Sequence, residues 1–197
     1  MKLILASFSR ARAELLRSAG YTFAQEPSGI EERPISPGED PADYVQCLAA
    51  DKARAVAREH PHAHILAADT LLFLDSKIIG KPADKGDAVR MLCELAGRTH
   101  RLLTGICVIA PGGSGESVLR TGVDCARVTM RAMTEEQIRH HVNVAMPLPY
   151  AGAYALQKEG VVLIQRMEGD PNTVIGLPMD MVDSFLREAG YREEEGP

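Results

Sequence analysis

Between Ile65 and Leu74 the chain is an apolar run with a single interruption, Asp69-Thr70. A carboxylate inside such a run must be solvated, paired or metal-bound, because an isolated buried charge is very costly. Asp75-Ser76 supplies a turn, Lys77-Ile78-Ile79 reads as a return strand, and Lys81 follows, held extended by Pro82. Two readings stand side by side: a structural ion pair across a hairpin, or Asp69 as general base or metal ligand with Lys81 facing an anion. Ser7, Ser9 and Arg12 bracket a second chemical position. A serine-bearing turn before a helix offers backbone N–H groups and a favourable dipole to a phosphate, although a plain N-cap is the commoner role for such a serine as Ser9. Ile30-Glu31-Glu32 places two carboxylates in a loop, as solvent-facing charge or as metal ligands. Lys52 falls on the apolar stripe of a helix, where a lysine either snorkels outward or meets an anion. His60, His62 and His64 resemble a metal cluster, but they lie in a connection broken by Pro61, and a zinc site also needs supporting partners. A solvated loop is the better reading.

The elements that must position these residues follow from periodicity. Leu3-Ile4-Leu5-Ala6 reads as a buried strand and residues 10–19 as a helix stopped by Gly20. Residues 21–26 form a weak strand and 27–40 a Pro- and Gly-rich loop. Asp40-Pro41 opens a helix whose buried stripe is Val45, Leu48, Ala49, Ala53 and Val56. The strand beginning at Ile65 is expected to stop at Asp69 and resume at Leu71. Ala88, Met91, Leu92 and Leu95 mark a further helix, and residues 101–110 and 117–130 two strands joined by a loop from Pro111 to Gly115. Thr134 with Gln137 is a capping box. A strand is expected at 161–164, a turn at 168–172 and a last helix ending near Gly190. Strands alternating with helices around one long hairpin indicate an α/β fold with a mixed sheet.

Bulk properties narrow the function. The 197 residues suffice for a real core. A net charge of -5 argues against a nucleic-acid polymer or an anionic membrane as the main partner, while leaving room for a small anion in a local cationic pocket. Cys47, Cys93, Cys107 and Cys125 show no zinc spacing and read as reduced core residues. The first apolar stretch is too short for a signal peptide and none approaches a membrane span, so a cytoplasmic location is expected. No Walker-type lysine loop occurs.

Taken in order, Leu5-Ala6-Ser7-Phe8-Ser9 with Arg12, Ile30-Glu31-Glu32, Leu48-Ala49-Ala50-Asp51-Lys52-Ala53, Ala68-Asp69-Thr70, Gly80-Lys81-Pro82, Gly97-Arg98-Thr99-His100, Thr104-Gly105, Ala151-Gly152-Ala153-Tyr154 with Gln157, and Gly176-Leu177-Pro178 resemble the Maf family of nucleotide pyrophosphatases over essentially the whole chain. The resemblance implies a two-lobed α/β fold with a twisted mixed sheet and a central cleft, often a homodimer. The resembling region is one domain over residues 1–190, and the remaining residues 191–197 are expected to be a disordered tail. The activity implied is hydrolysis of a nucleoside triphosphate between the α and β phosphates with a divalent cation, Mg²⁺ or Mn²⁺, removing surplus or modified nucleotides. By the same carry-over Asp69 is the general base, Ser7, Ser9, Arg12, Lys52 and Lys81 hold the phosphates, Glu31 and Asp69 bind the metal, and Thr70 and Gln157 read the base. Thr70 and Gln157 match the branch acting on dTTP and UTP. Arg10-Ala11-Arg12 and Gly169-Asp170-Pro171-Asn172 look closer to the branch acting on 7-methyl-GTP. Arg10-Ala11, where the family has proline and arginine, keeps a catalytically weak nucleotide-binding regulator of septum formation as the alternative of another class. Tyr150 also departs, standing where pyrimidine-specific members carry lysine.

Overall fold

A computed structural model describes residues 1–75, 77–111, 118–148, 150–156 and 158–192, with 158–160 described by backbone alone. The Gly112–Gly115 part of the expected hairpin loop and Gln157 lie outside these residues, as does the tail beyond Arg192. In chain order the elements are β1 (Leu3–Leu5), α1 (Arg10–Ser18), β2 (Ala24–Gln25), α2 (Pro41–Glu59), β3 (His64–Leu74), β4 (Lys77–Ile79), α3 (Lys85–Leu95), β5 (Thr99–Ala110), β6 (Val118–Met130), α4 (Glu135–Ala145), β7 (Ile164–Glu168), α5 (Pro171–Ile175) and α6 (Met179–Glu188). The described strands form a mixed sheet in the order β2-β1-β3-β5-β6-β7, with β4 antiparallel to the end of β3. β1 pairs in parallel with both β2 and β3. This is the mixed-sheet α/β architecture that the element pattern predicts.

The chain divides into two compact units, and the division falls within β3, β5 and β6. The first comprises Met1–Thr70, Thr104–Asp124 and Gly176–Pro197. Its strands are apolar on both faces, so alternate residues serve different layers. Leu3, Leu5, Leu66 and Ala68 meet Ala13 and Leu16 of α1 and Val182 and Leu186 of α6. Ile4, Ala6, Ile65 and Ala67 meet Ala49, Ala53 and Val56 of α2. Each fully buried leucine or valine contributes about 1.5–3 kcal/mol. Gly105 lets α2 approach β5 closely: a side chain there would meet the Val45 carbonyl oxygen at 2.5 Å. The second unit, Leu71–Leu103 with Cys125–Ile175, packs Leu72, Leu74 and Ile79 against α3 through Leu92 and Leu95 and against α4 through Ile138 and Val142.

Local signals held where they are self-contained. The Ser9, Asp40 and Thr134 side chains cap α1, α2 and α4, the last as a complete capping box with Gln137. Several expectations are corrected. β3 runs unbroken through Asp69 and Thr70, because a strand tolerates a polar residue whose side chain finds partners. The segment expected as a strand from Val161 is a 3-10 helix over Lys158–Leu163, and β7 starts only at Ile164, the residue paired with Met130 at the end of β6. The expected turn at 168–172 closes into α5, with Asp170 Oδ1 accepting from the Asn172 amide at 2.9 Å. Of the cysteines only Cys107 is in the core; Cys47, Cys93 and Cys125 are exposed. Cys47 and Cys93 neighbour Leu48 and Leu92 in sequence, and one residue is about 100° of helix, enough to leave the buried stripe.

Tyr191 is also buried, stacked edge-on against His64, and so belongs to the first unit's core rather than to a tail. Among the described residues, no helix is long and apolar enough to cross a membrane.

Candidate active site

The sequence-predicted residues Asp69 and Lys52 meet. Lys52 lies on α2 beside its buried stripe and Asp69 lies on β3, and the close packing of α2 on the first unit's sheet brings them together. Lys52 Nζ donates to Asp69 Oδ1 at 2.5 Å, and the same nitrogen lies 2.6 Å from Glu32 Oε1. Asp69 is only 8% exposed. Its second oxygen, Oδ2, has no protein partner among the described residues and keeps contact with solvent. An ammonium carries three donors, so the third N–H of Lys52 remains for an anion.

The resemblance implies a metal-binding role for Glu31, and the neighbour that pairs with Lys52 is Glu32; both glutamates are exposed. The acidic loop is fastened next to Glu32. Arg33 forms an ion pair with Glu39 and lies over the Tyr44 ring, and the Tyr44 hydroxyl donates to the Arg33 carbonyl at 2.5 Å. Tyr44 is buried, and burial followed by the charges of Glu32 and Asp69 pushes its hydroxyl above the usual tyrosine range. Arg33 holds the Glu39 carboxyl down at about 2. No periodicity in the sequence announces this fastening; an aromatic on the α2 stripe is its nearest signal.

Arg12 and the serines form the other half. Ser9 accepts from the Arg12 amide at 3.4 Å as N-cap, and the Ser9 amide donates to Ser7 Oγ at 3.2 Å. The Arg12 guanidinium donates to the carbonyls of Ala68 and Gly176, each at 2.8 Å, and to Thr70 Oγ1 at 3.0 Å. A longer contact reaches Ser7 Oγ at 3.4 Å. Thr70 also shares a hydrogen bond with the fully buried Thr104 at 2.9 Å. Burial lowers the Arg12 pKa, opposed by the negative charges of Asp69 and Glu32. Thr104 and Gly176 were visible in the sequence only as motif members without a role.

Lys81 is exposed in the second unit, with no hydrogen bond or ion pair among the described residues, and Gln157 lies outside them. The histidines part company: His60 pairs with Glu26 at 2.6 Å, His62 is exposed, and His64 is buried with Nε2 against the Ala189 carbonyl at 3.1 Å. The solvated-loop reading therefore fails for His64, which opens β3 and is absorbed into the core.

Residues 2–189 match the family described as Maf-like protein. A dTTP/UTP pyrophosphatase of Koribacter versatilis (strain Ellin345) is 40% identical over 190 residues, covering 96% of this chain and 95% of that protein. A dTTP/UTP pyrophosphatase of Moorella thermoacetica is 42% identical over 187 residues, covering 94% and 93%. Among solved structures, a HAM1 protein from Coxiella burnetii superposes with a TM-score of 0.52 at 16% identity, covering 95% of this chain and 99% of that one, a likeness of fold alone. A family match over residues 2–189, with relatives about 40% identical over nearly the whole chain, places the protein in the Maf-like family.

Proposed function

We propose that the protein is a nucleoside triphosphate pyrophosphatase that hydrolyses the α–β phosphoanhydride to a nucleoside monophosphate and pyrophosphate, preferring dTTP and UTP. The observation that carries this reading is the Lys52 ammonium held between Asp69 and Glu32, with one oxygen of Asp69 left open. Phosphoanhydride cleavage needs a positioned water and neutralisation of developing charge more than covalent chemistry. Asp69 orients and deprotonates the water through Oδ2. Lys52, Arg12, Ser7 and Ser9 receive the phosphates, and the family motif Gly80-Lys81-Pro82 supplies Lys81 as a further phosphate-binding cation. The names of the relatives support the pyrimidine preference. With the Thr70 hydroxyl engaged by Arg12 and Thr104, base reading rests chiefly on Gln157, whose amide donates to one edge atom of a pyrimidine and accepts from another.

The acidic pair fits a divalent cation. Two carboxylates, Asp69 and Glu32, converge within 2.6 Å of one cationic nitrogen, and Mg²⁺ is commonly held by one or two carboxylates together with substrate phosphates. Glu31, one residue away, is the ligand expected from the sequence. Asp69 with Glu32 or Glu31 would hold Mg²⁺ or Mn²⁺, which would supply charge neutralisation and a more acidic water. The test is product analysis across a nucleotide panel with Mg²⁺, Mn²⁺ or chelator. Pyrophosphate release fastest from dTTP and UTP is expected. Orthophosphate as the product would sink the reaction type, and a clear lead for 7-methyl-GTP would sink the base preference alone.

A further inference from the structure

Arg12 is tied down more thoroughly than a residue that simply meets a substrate. A guanidinium has five N–H donors. Nε serves the Gly176 carbonyl, Nη1 serves the Ala68 carbonyl and Ser7 Oγ, and Nη2 serves Thr70 Oγ1. Four of the five are committed, and one N–H on Nη2 remains. The three segments involved are far apart in sequence: α1, the middle of β3, and the Gly176-Leu177-Pro178 approach to α6.

Gly176 contributes twice to this arrangement. Its backbone takes φ +109°, which L side chains rarely adopt, and that conformation accompanies the carbonyl bond to Arg12 Nε. A Cβ at this position would meet Thr70 Oγ1 at 2.9 Å, Arg12 Nε at 3.2 Å and Nη2 at 3.4 Å. The missing side chain thus leaves the space in which the arginine and threonine bond to each other.

We propose that Gly176 is a positioning residue: its carbonyl and its lack of a side chain lock the Arg12 guanidinium so that one N–H edge is presented to a polyphosphate anion. The proposal rests on the phosphate-binding reading of Arg12 given above. A locked cation needs no reorganisation when charge develops on the phosphate, which is the condition under which an electrostatic contact is most effective. Ala68 and Thr70, to which the guanidinium donates, are the chain neighbours of Asp69, so the lock fixes the cation to the strand that carries the base.

Two measurements test it, one of them independent of catalysis. In arginine-labelled protein, the Arg12 Nε–H signal is identified by its loss in Arg12→Lys. It should exchange with solvent at least a hundredfold more slowly than an exposed arginine, and at least tenfold faster in Gly176→Ala than in wild type. Exchange at the exposed rate in wild type, or an unchanged rate in Gly176→Ala, overturns the lock. In turnover assays with dTTP, Gly176→Ala should lower kcat by ten- to a hundredfold with KM within threefold, since orientation matters most in the transition state. In a Thr70→Ala background, where the 2.9 Å collision partner is gone, the same change should cost threefold or less. An equal loss in both backgrounds would reduce Gly176 to ordinary backbone strain and overturn the proposal. A wild-type protein inactive on every nucleotide would sink the functional reading, while the exchange measurement would still decide the lock.

Discussion

Lys52 of α2 and Asp69 of β3 are joined by a hydrogen bond of 2.5 Å between Nζ and Oδ1. The bond orients one carboxylate oxygen and leaves the other to water. Neither residue finds a partner within its own element, so each depends on the packing of helix on sheet.

Replacing Asp69 by Asn keeps the shape of the side chain and removes its charge and basicity. Turnover should fall by about 10²–10⁴, the usual contribution of a general base. The melting temperature should stay within a few degrees of wild type. Steady-state rates and thermal melts on the same sample check both statements, and a variant with most of its activity would remove Asp69 from the mechanism.

The two lysines should separate. Lys52→Ala leaves Asp69 and Glu32 facing each other without their shared cation, and should weaken the transition state by about 2–4 kcal/mol while also lowering stability. Lys81 is exposed, so Lys81→Ala should leave stability unchanged and act on kcat/KM alone. If both variants remain within about threefold of wild type, under about 1 kcal/mol, the lysines are not catalytic.

Stability should carry a specific acid dependence from His100. The ring is 1% exposed, Nε2 lies 2.7 Å from the Tyr154 hydroxyl, and burial lowers its pKa to about 4. The unfolded chain takes up this proton below about pH 6.5, whereas the folded chain stays neutral until about 4. The folded state is therefore favoured fully above about pH 6.5 and loses up to about 3 kcal/mol as the pH falls through that window, with no further loss below it. Urea unfolding at pH 7.5 and 4.5 should show wild type losing about 2–3 kcal/mol more than His100→Gln.

Gly152 offers a test of the second unit's core. It adopts φ +69°, and a Cβ there would collide with Leu72 Cδ1 and approach Leu95 Cδ1 at 3.2 Å. Gly152→Ala combines left-handed backbone strain with overpacking and should destabilise by about 2–4 kcal/mol. Denaturant midpoints decide this; a change below about 0.5 kcal/mol would show that the leucines yield freely.

What the sequence reveals divides by range. Caps at Ser9, Asp40 and Thr134 are legible because each signal and its partner lie within three residues. The apolar stripes of α2 and α3 are legible for the same reason, yet assigning Cys47 and Cys93 to them failed by a single residue of helical rotation. Asp69 and Lys52 are recognisable separately, as a charge in a strand and a charge on a stripe. Their contact is set by α2 lying against the sheet, which no local pattern encodes. Adjacent residues of an irregular loop carry no periodicity, so the choice between Glu31 and Glu32 is equally invisible. The fate of Val161 shows the limit for strands: β-branched composition permits a strand, but the end of its partner at Met130 decides where one begins.

Lys52 touches both Asp69 and Glu32, and Arg12 feels the same two carboxylates through space, so two positive and two negative charges make up the cluster. This cluster is formally electroneutral, on a chain carrying a net charge of -5. Such a site generates little long-range attraction for a polyanion, since distant fields follow net charge and fade over about 10 Å at ordinary ionic strength. Encounter with a nucleotide should then gain no electrostatic steering, added salt should quicken rather than slow it by screening the chain's net charge of -5, and selectivity should arise after contact, in how long each nucleotide stays.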